Sequence, residues 1–248
     1  MSAVKLVKAV PNTNSCVAVD FKKPDDFEKV TVEGNDARAV NGTVMASVLY
    51  DGKYLTLALP PLMVAFDPSS YLDSKKINVD LDLRHATSHS TVKEAFDVLR
   101  GIDERVAQQV VKQREKLVPG LKKTGPLAKS DQSVHDCYVF CTRPRVGSKS
   151  DAVWPPRLSA TLSGARILGE DQNINKGDVV RCVVQTKVLC NRAEKVTLSW
   201  RILQLRKIRD GLPYPDISLT EQEAFGISLS SEGDGATKCS MDLTEDLV

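Results

Sequence analysis

The sequence predicts a mostly β fold, a small barrel of strands closed at one end by a single long helix. Three observations carry this. Apolar and polar residues alternate with a period of two along much of the chain, as in "INVDLDL" from Ile77 to Leu83. One stretch, Thr91 to about Lys116, changes to steps of three and four residues. Finally, two long alternating runs, Val179 to Leu189 and Lys195 to Ile208, are joined by the short connection Cys190 to Glu194 and so read as a two-stranded ribbon.

Taken in order, "NGTVMASVLYDGKYLTLALP" is a hairpin: Thr43 to Tyr50 and Lys53 to Leu59 are rich in β-formers, and Asp51-Gly52 suits a tight turn between them. Ile77, Val79, Leu81 and Leu83 alternate with Asn78, Asp80 and Asp82, a half-buried strand. In the helix Val92, Phe96, Leu99, Ile102, Val106, Val110 and Leu117 form an apolar stripe. Thr91 and Glu94 have the spacing of a capping box, and Pro119-Gly120 ends the run. Gly101 in its middle costs about 1 kcal/mol relative to alanine on propensity alone. After a polar linker, Lys122 to Ser133, strands resume at Val134 to Thr142 and Arg157 to Ser163.

In the ribbon, Val180, Cys182, Val184, Thr186 and Val188 share one face with Val196, Leu198, Trp200 and Ile202. Arg181, Val183, Gln185 and Lys187, with Thr197, Ser199 and Arg201, share the other. One side is apolar and the other basic and polar. Strands, one helix, then strands fit an OB-like Greek-key barrel with an inserted helix, a fold that carries its helix between the third and fourth barrel strands. A β-sandwich with an inserted helix is the competing arrangement. Residues 1–219 read as one OB-like domain with an N-terminal strand extension, and 220–248 as a flexible, disordered acidic tail with too little apolar area to offset the entropy of ordering.

At 42% hydrophobic and 27% charged residues the composition is that of an ordinary globular protein. Lys5 and Lys8 interrupt any signal-peptide core near the start. The longest nearly apolar run, Leu55 to Phe66, is short and carries Pro60 and Pro61, so no membrane association is expected. Six cysteines without framework spacing fit a soluble, intracellular, reduced protein. The net charge of +2 hides an asymmetry. Residues 220–248 hold seven acids against Lys238, net −6, which leaves +8 for the remainder. Arg143 to Arg209 holds fourteen Lys/Arg against five Asp/Glu, net +9. A basic body with an acidic tail points to a polyanionic partner.

Little in the sequence asks for bond-making chemistry. His85 and His89 have the spacing of a helical metal pair, yet no glutamate follows His85 and no third ligand is in view. Cys137 and Cys141, four apart in an expected strand, read as small buried hydrophobes. "GDGATK" lacks the setting of a phosphate loop, and no nucleophile elbow, dinucleotide fingerprint or two-metal acid cluster occurs. The expectation is a non-enzyme with no cofactor and no metal.

What remains is "CTRPRVGSKSDAVWPPRL". Arg143, Arg145, Lys149 and Arg157 surround Trp154, while Pro144, Pro155 and Pro156 stiffen the chain. Binding of single strands needs cations along a phosphate backbone and flat rings on which bases stack, each stacked base contributing about 1–3 kcal/mol. Tyr138 and Phe140 share a face of the preceding strand and are candidate rings with Trp154; each could equally fill the core. No recognition helix for duplex DNA is visible, since the one long helix balances its bases with Glu94, Asp97, Asp103, Glu104 and Glu115.

The run "WPPRLSATL", then "INKGDVVRCVVQTKVLC", a short turn and "KVTLSWRILQLRKI" resembles the closing part of the single-stranded-DNA-binding proteins of large nucleocytoplasmic DNA viruses. These are similar to phage replication binders with an OB-fold core and an acidic tail. The resemblance covers roughly residues 134–209, with the tail matching in character. It implies non-catalytic single-stranded DNA binding in replication, recombination or repair. It places Arg181, Lys187, Lys195 and Arg201 on the binding face, with Trp154 and Arg157 at its edge. It also implies a tail that competes with DNA for the basic groove and offers Asp242, Leu243, Glu245, Asp246, Leu247 and Val248 to replication partners. Homo-oligomerisation is left open. A viral structural or scaffold protein, making protein contacts through a β-sandwich, is the alternative.

Overall fold

The computed structural model describes residues 5–9, 16–20, 24–40, 43–70, 76–87, 89–117, 138–143, 145–146, 153–154, 156–162, 164–169, 173–190, 195–209, 228–231 and 237–240. The first half contains β1 (Lys5–Ala9), β2 (Cys16–Asp20), α1 (Pro24–Glu28), β3 (Val30–Val40), β4 (Thr43–Tyr50), β5 (Lys53–Tyr54), β6 (Thr56–Ala58), β7 (Leu62–Met63), β8 (Ser69–Ser70), β9 (Ile77–Asp82) and α2 (Ser90–Leu117). The second half contains β10 (Tyr138–Val139), β11 (Arg145–Val146), β12 (Val153–Trp154), β13 (Arg157–Thr161), β14 (Arg166–Leu168), β15 (Val179–Cys190), β16 (Val196–Arg209), β17 (Ser228–Ser231) and β18 (Thr237–Ser240). Sixteen of these strands belong to one sheet, and β11–β12 form a separate pair.

The hairpin at Asp51-Gly52 forms as its sequence dictates. Both residues have positive φ, 51° and 73°, the conformation of a type I′ turn. Beyond it the second run does not stay with β4. β5 pairs with β4, Leu55 donates its N–H to the Val48 carbonyl at 2.9 Å, and β6 crosses to pair with β15 and β1. Pro60 and Pro61, which cannot donate to a ladder, mark the bend into β7.

A ring of strands follows. β7 pairs with β15, β15 with β16, β16 with β13 in parallel, and β13 with β9. One bridge, Val64↔Leu81, with Ala65 N–H on the Asp80 carbonyl at 2.8 Å, returns β9 to the β7 segment. Numbered along the chain, the ring runs first, second, third, fifth, fourth and back to first. This is a Greek-key, partly open barrel of the OB-like kind, so the strands curl into one sheet and not into two packed ones. Its interior holds Leu57, Leu62, Val79, Leu81, Leu158, Ala160, Cys182, Val184, Leu198, Trp200, Ile202 and Leu205, all buried.

α2 follows β9, the second ring strand, and precedes β13, the third. It also starts at Ser90. Lys93 N–H bonds the His89 carbonyl at 2.9 Å, so Thr91 lies within the first turn and is not the cap of a capping box. The predicted apolar stripe is buried, with Phe96 partly so. Arg105 donates to the Val30 and Glu28 carbonyls at 3.2 and 3.0 Å, and Gln113 to Val32 at 3.0 Å, which ties the helix to β3. Near its C-terminus Val110 and Leu117 close over Val44, Ala46, Val188, Cys190 and Val196, where β4 meets the ribbon.

Gly101 also acquires a reason. A Cβ there would lie 2.4 Å from the Phe27 ring of α1, so the position is kept bare for an aromatic neighbour. The acidic segment 220–248 is not wholly without strands. β17 and β18 form a hairpin, and β18 pairs with β2 through Thr237↔Ala18, Lys238↔Val17 and Cys239↔Cys16. The β1–β2 hairpin presents an open edge of N–H and C=O groups, and pairing with it requires no large apolar side chains. The linker 122–133 and the tail tip, residues 242–248, lie outside the described residues.

Candidate nucleic-acid interface

The ribbon sets the interface. Along β15, buried Val180, Cys182, Val184, Thr186 and Val188 alternate with outward Arg181, Val183, Gln185 and Lys187. Their partners on β16 are Arg206, Gln204, Arg201 and Ser199 respectively. Lys187, Lys195, Arg201 and Arg206 are exposed, and Arg181 is half-buried. No acid occurs anywhere in Val179–Cys190 or Val196–Arg209. The face continues sideways as a polar row, because Arg201 neighbours Gln185 on one side and Thr161 on the other, and Thr161 faces Asn78. Thr161 donates its hydroxyl to the Asn78 carbonyl oxygen at 3.2 Å. The turn after β13 presses close: a Cβ on Gly164 would lie 3.1 Å from Arg201 Nη2.

Arg157 opens β13 opposite Asp82, with Nε 3.8 Å from Asp80 Oδ1 and its guanidinium 5.2 Å from the Phe66 ring centroid. Phe66 is 38% exposed, an aromatic face half-open to solvent beside a cation. Arg145 and Trp154 are directly opposite each other in the β11–β12 pair. Lys149 lies outside the described residues. Arg143 is exposed, its guanidinium 3.8 Å over the Phe140 ring.

Tyr138 and Phe140 do not serve as open stacking rings. Each is only 4% exposed, and they pack against each other edge-on at 4.7 Å. Parity explains this: their shared face is the inward one, and Val139 between them takes the outer side, in register with Thr197. What holds them is Asp103, fully buried on α2. Its carboxylate accepts from Tyr138 Oη at 3.1 Å, Cys141 N at 2.8 Å, Thr142 N at 3.4 Å and Thr142 Oγ1 at 3.5 Å. Burial raises the Asp103 carboxyl above its ordinary range, against the opposing pull of these hydrogen bonds. Burial also raises the Tyr138 phenol well above its usual value, with the Asp103 charge adding to it. The arrangement is a structural clamp on the segment that leads into Arg143.

Cys141, Cys182 and Cys190 are buried, and burial pushes the Cys182 thiol up to about 12, far from thiolate at neutral pH. The His85 and His89 rings sit edge-on at 5.8 Å. Among the described residues no group of three or more His, Cys, Asp or Glu gathers in metal-binding geometry. No helix among them is long and apolar enough to cross a membrane.

Three features escaped the sequence reading. Phe66 stood at the end of an apolar run, though the following Asp67-Pro68 marks a strand end where a ring is left outside. Asp103 was grouped with the acids that balance the helix's bases, although its four-residue spacing from Leu99 and Ala107 puts it inside the apolar stripe. Arg206 was assigned no face. The doublet Ile202-Leu203 breaks the strict alternation and signals the bulge that turns Arg206 outward.

No family model matches the chain, and no curated protein matches it. It is similar to the solved structure titled single-stranded DNA-binding protein from bacteriophage Enc34, at 15% identity and a TM-score of 0.37, over 79% of this chain and 99% of that one. It is similar also to a C-terminal truncation of that protein, at 15% identity and a TM-score of 0.36, over 75% of this chain and 99% of the other.

Proposed function

We propose that this chain binds single-stranded DNA without catalysis, on the outward face of β15–β16 and the adjoining segment from Arg143 to Arg157. The observation that carries the reading is that face: exposed Lys187, Lys195, Arg201 and Arg206 stand beside Gln185, Thr197 and Ser199, and neither Val179–Cys190 nor Val196–Arg209 contains an acid. Cations spaced along a strand neutralise successive phosphates, and polar side chains between them can meet sugars and bases. Phe66 beside Arg157 offers a ring for one base, and Trp154 is the second ring of the reading. The biological setting is replication, recombination or repair. Residues 220–248 compete with DNA for the basic face, and the tip from Asp242 to Val248 contacts replication proteins. The finer assignment to the binders of large nucleocytoplasmic DNA viruses rests on the pattern of residues 134–209 alone.

The test is fluorescence anisotropy with labelled single-stranded and duplex oligonucleotides of equal length at two salt concentrations. Affinity for single strands should fall with a log–log slope of about −0.7 per neutralised phosphate, hence about −3 for four contacts. Undetectable binding at low salt, or equal affinity for duplex, would refute the proposal.

A further inference from the structure

β16 changes parity partway along. Val184 pairs with Ile202, but Val183 pairs with Gln204, so Leu203 is an extra residue with no partner on β15. Before the bulge, even-numbered residues point inward; after it, Leu205 is fully buried opposite Cys182. Gln204 and Arg206 therefore share the outer face with Val183 and Arg181. On the other side of β16, β14 runs parallel, with Arg166 beside Gln204, Leu168 beside Arg206, and Ile167 packed against the core beside Leu205. Arg166, Arg181 and Arg206 thus stand on one face around Gln204. Unbroken alternation would have turned Gln204 and Arg206 into the barrel and Leu203 and Leu205 out of it.

Such a grouping runs against the sheet's own interest. Like charges directly across an antiparallel ladder destabilise it, and here Arg181 faces Arg206 with Arg166 on the next strand. The neighbouring cation is treated differently. Lys207, opposite Val180, is 8% exposed and lies 3.1 Å from Asp178 Oδ2, with Nζ donating to the Asn173 carbonyl at 3.2 Å. A carboxylate is provided for the lysine turned inward, and no position of β14, β15 or β16 provides one for Arg166 and Arg206 on the outer face. Guanidinium groups match phosphate oxygens two at a time, which suits a backbone phosphate better than a lone ammonium does.

We propose that Arg166 and Arg206, flanked by Arg181, form a phosphate-binding station for a nucleic-acid strand, built by the Leu203 bulge at the far end of the ribbon from Lys187 and Lys195. It rests on the single-strand reading above and extends it. Arg201 and Arg206 are five residues apart, about 16 Å along the strand, so the station meets a different phosphate from the one at Arg201.

The test uses the full chain, with Arg166→Gln and Arg206→Gln singly and together, titrated with labelled oligothymidylate over a range of salt. Each substitution should lower affinity about tenfold at low salt and flatten the slope by about 0.7; Arg206→Lys should keep the slope and lose part of the affinity. The variants' melting temperatures should stay level or rise as repulsion is relieved. A fall in melting temperature would mean that the arginines hold the fold, and would overturn the station. So would unchanged affinity and slope in the double variant while wild type binds, a result that leaves the single-strand reading intact. Failure of wild type to bind would defeat both. Inorganic phosphate supplies the last arm: if it raises the melting temperature of wild type but not of the double variant, while the oligothymidylate slope is unchanged, the arginines hold a small anion and the strand station is refuted.

Discussion

Replacing Asp103 by alanine should be among the most damaging single changes to this fold. Its carboxylate accepts from Tyr138 Oη and Cys141 N at 3.1 and 2.8 Å, with two longer contacts from Thr142. Each donor left buried without a partner costs about 1–3 kcal/mol. Two well-formed donors therefore set a loss of about 2–6 kcal/mol, reduced by relief of the desolvation that raises the carboxyl's pKa. A net loss of about 3 kcal/mol is expected. Tyr138→Phe removes one bond while Asp103 keeps the backbone N–H, so it should cost only about 1 kcal/mol. Urea unfolding of both variants measures this. The pH dependence follows from the direction of the shift. A carboxyl raised in the folded state takes up its proton there before the unfolded chain does, so its contribution to stability rises as pH falls through the folded pKa and is lost as pH rises. Asp103→Ala should remove that component. A loss under about 1 kcal/mol, or Tyr138→Phe costing as much as Asp103→Ala, would refute the clamp.

Gly101→Ala should destabilise although propensity alone favours it by about 1 kcal/mol, because the new Cβ meets the Phe27 ring at 2.4 Å and overpacking costs about 1–3 kcal/mol. In a Phe27→Ala background the same change should stabilise, and denaturant midpoints of the two pairs decide it. The 1–219 fragment, whose net charge is +8 against +2, should bind single strands more tightly and faster, most at low salt; unchanged or weaker binding in anisotropy and stopped-flow would remove the tail's competing role.

Much of the architecture was legible because it is written in local periods. The ribbon, the 77–83 strand, the Asp51-Gly52 turn and the long helix follow from alternation, turn chemistry and a 3.6-residue stripe, and each stands within a few residues of its expected bounds. The misses are non-local. Nothing in Lys53 to Leu59 tells that β6 will leave β4 for β15, since that exchange is decided by which edge is open. The helix's place in the ring depends on which strands close the barrel, and a single bridge, Val64↔Leu81, settles it. Tyr138 and Phe140 were rightly placed on one face, but alternation cannot say which face is inward; a carboxylate thirty-five residues away does. Conversely, Thr237 to Ser240 lacks any apolar pattern and still pairs with β2.

The same distinction bears on how charge should be counted. The +9 of residues 143 to 209 is a property of the chain, whereas a DNA strand meets a surface. Lys207 contributes to the first and is withdrawn from the second by Asp178. Arg157 lies beside Asp80, and Arg143 lies flat on Phe140, so neither projects as an unconstrained cation. Among the described residues of the ribbon, Lys187, Lys195, Arg201 and Arg206 are exposed and Arg181 is half-buried. At about −0.7 per phosphate, these five cations of the ribbon supply a salt slope no steeper than about −3.5. A measured slope well beyond that value would require cations outside it, Arg166 and the segment around Arg145 first. A slope shallower than about −2 would mean that the strand touches only part of the ribbon, on one side of the Leu203 bulge. The slope is therefore a ruler laid along β16, and it reads where the strand lies before any single residue is changed.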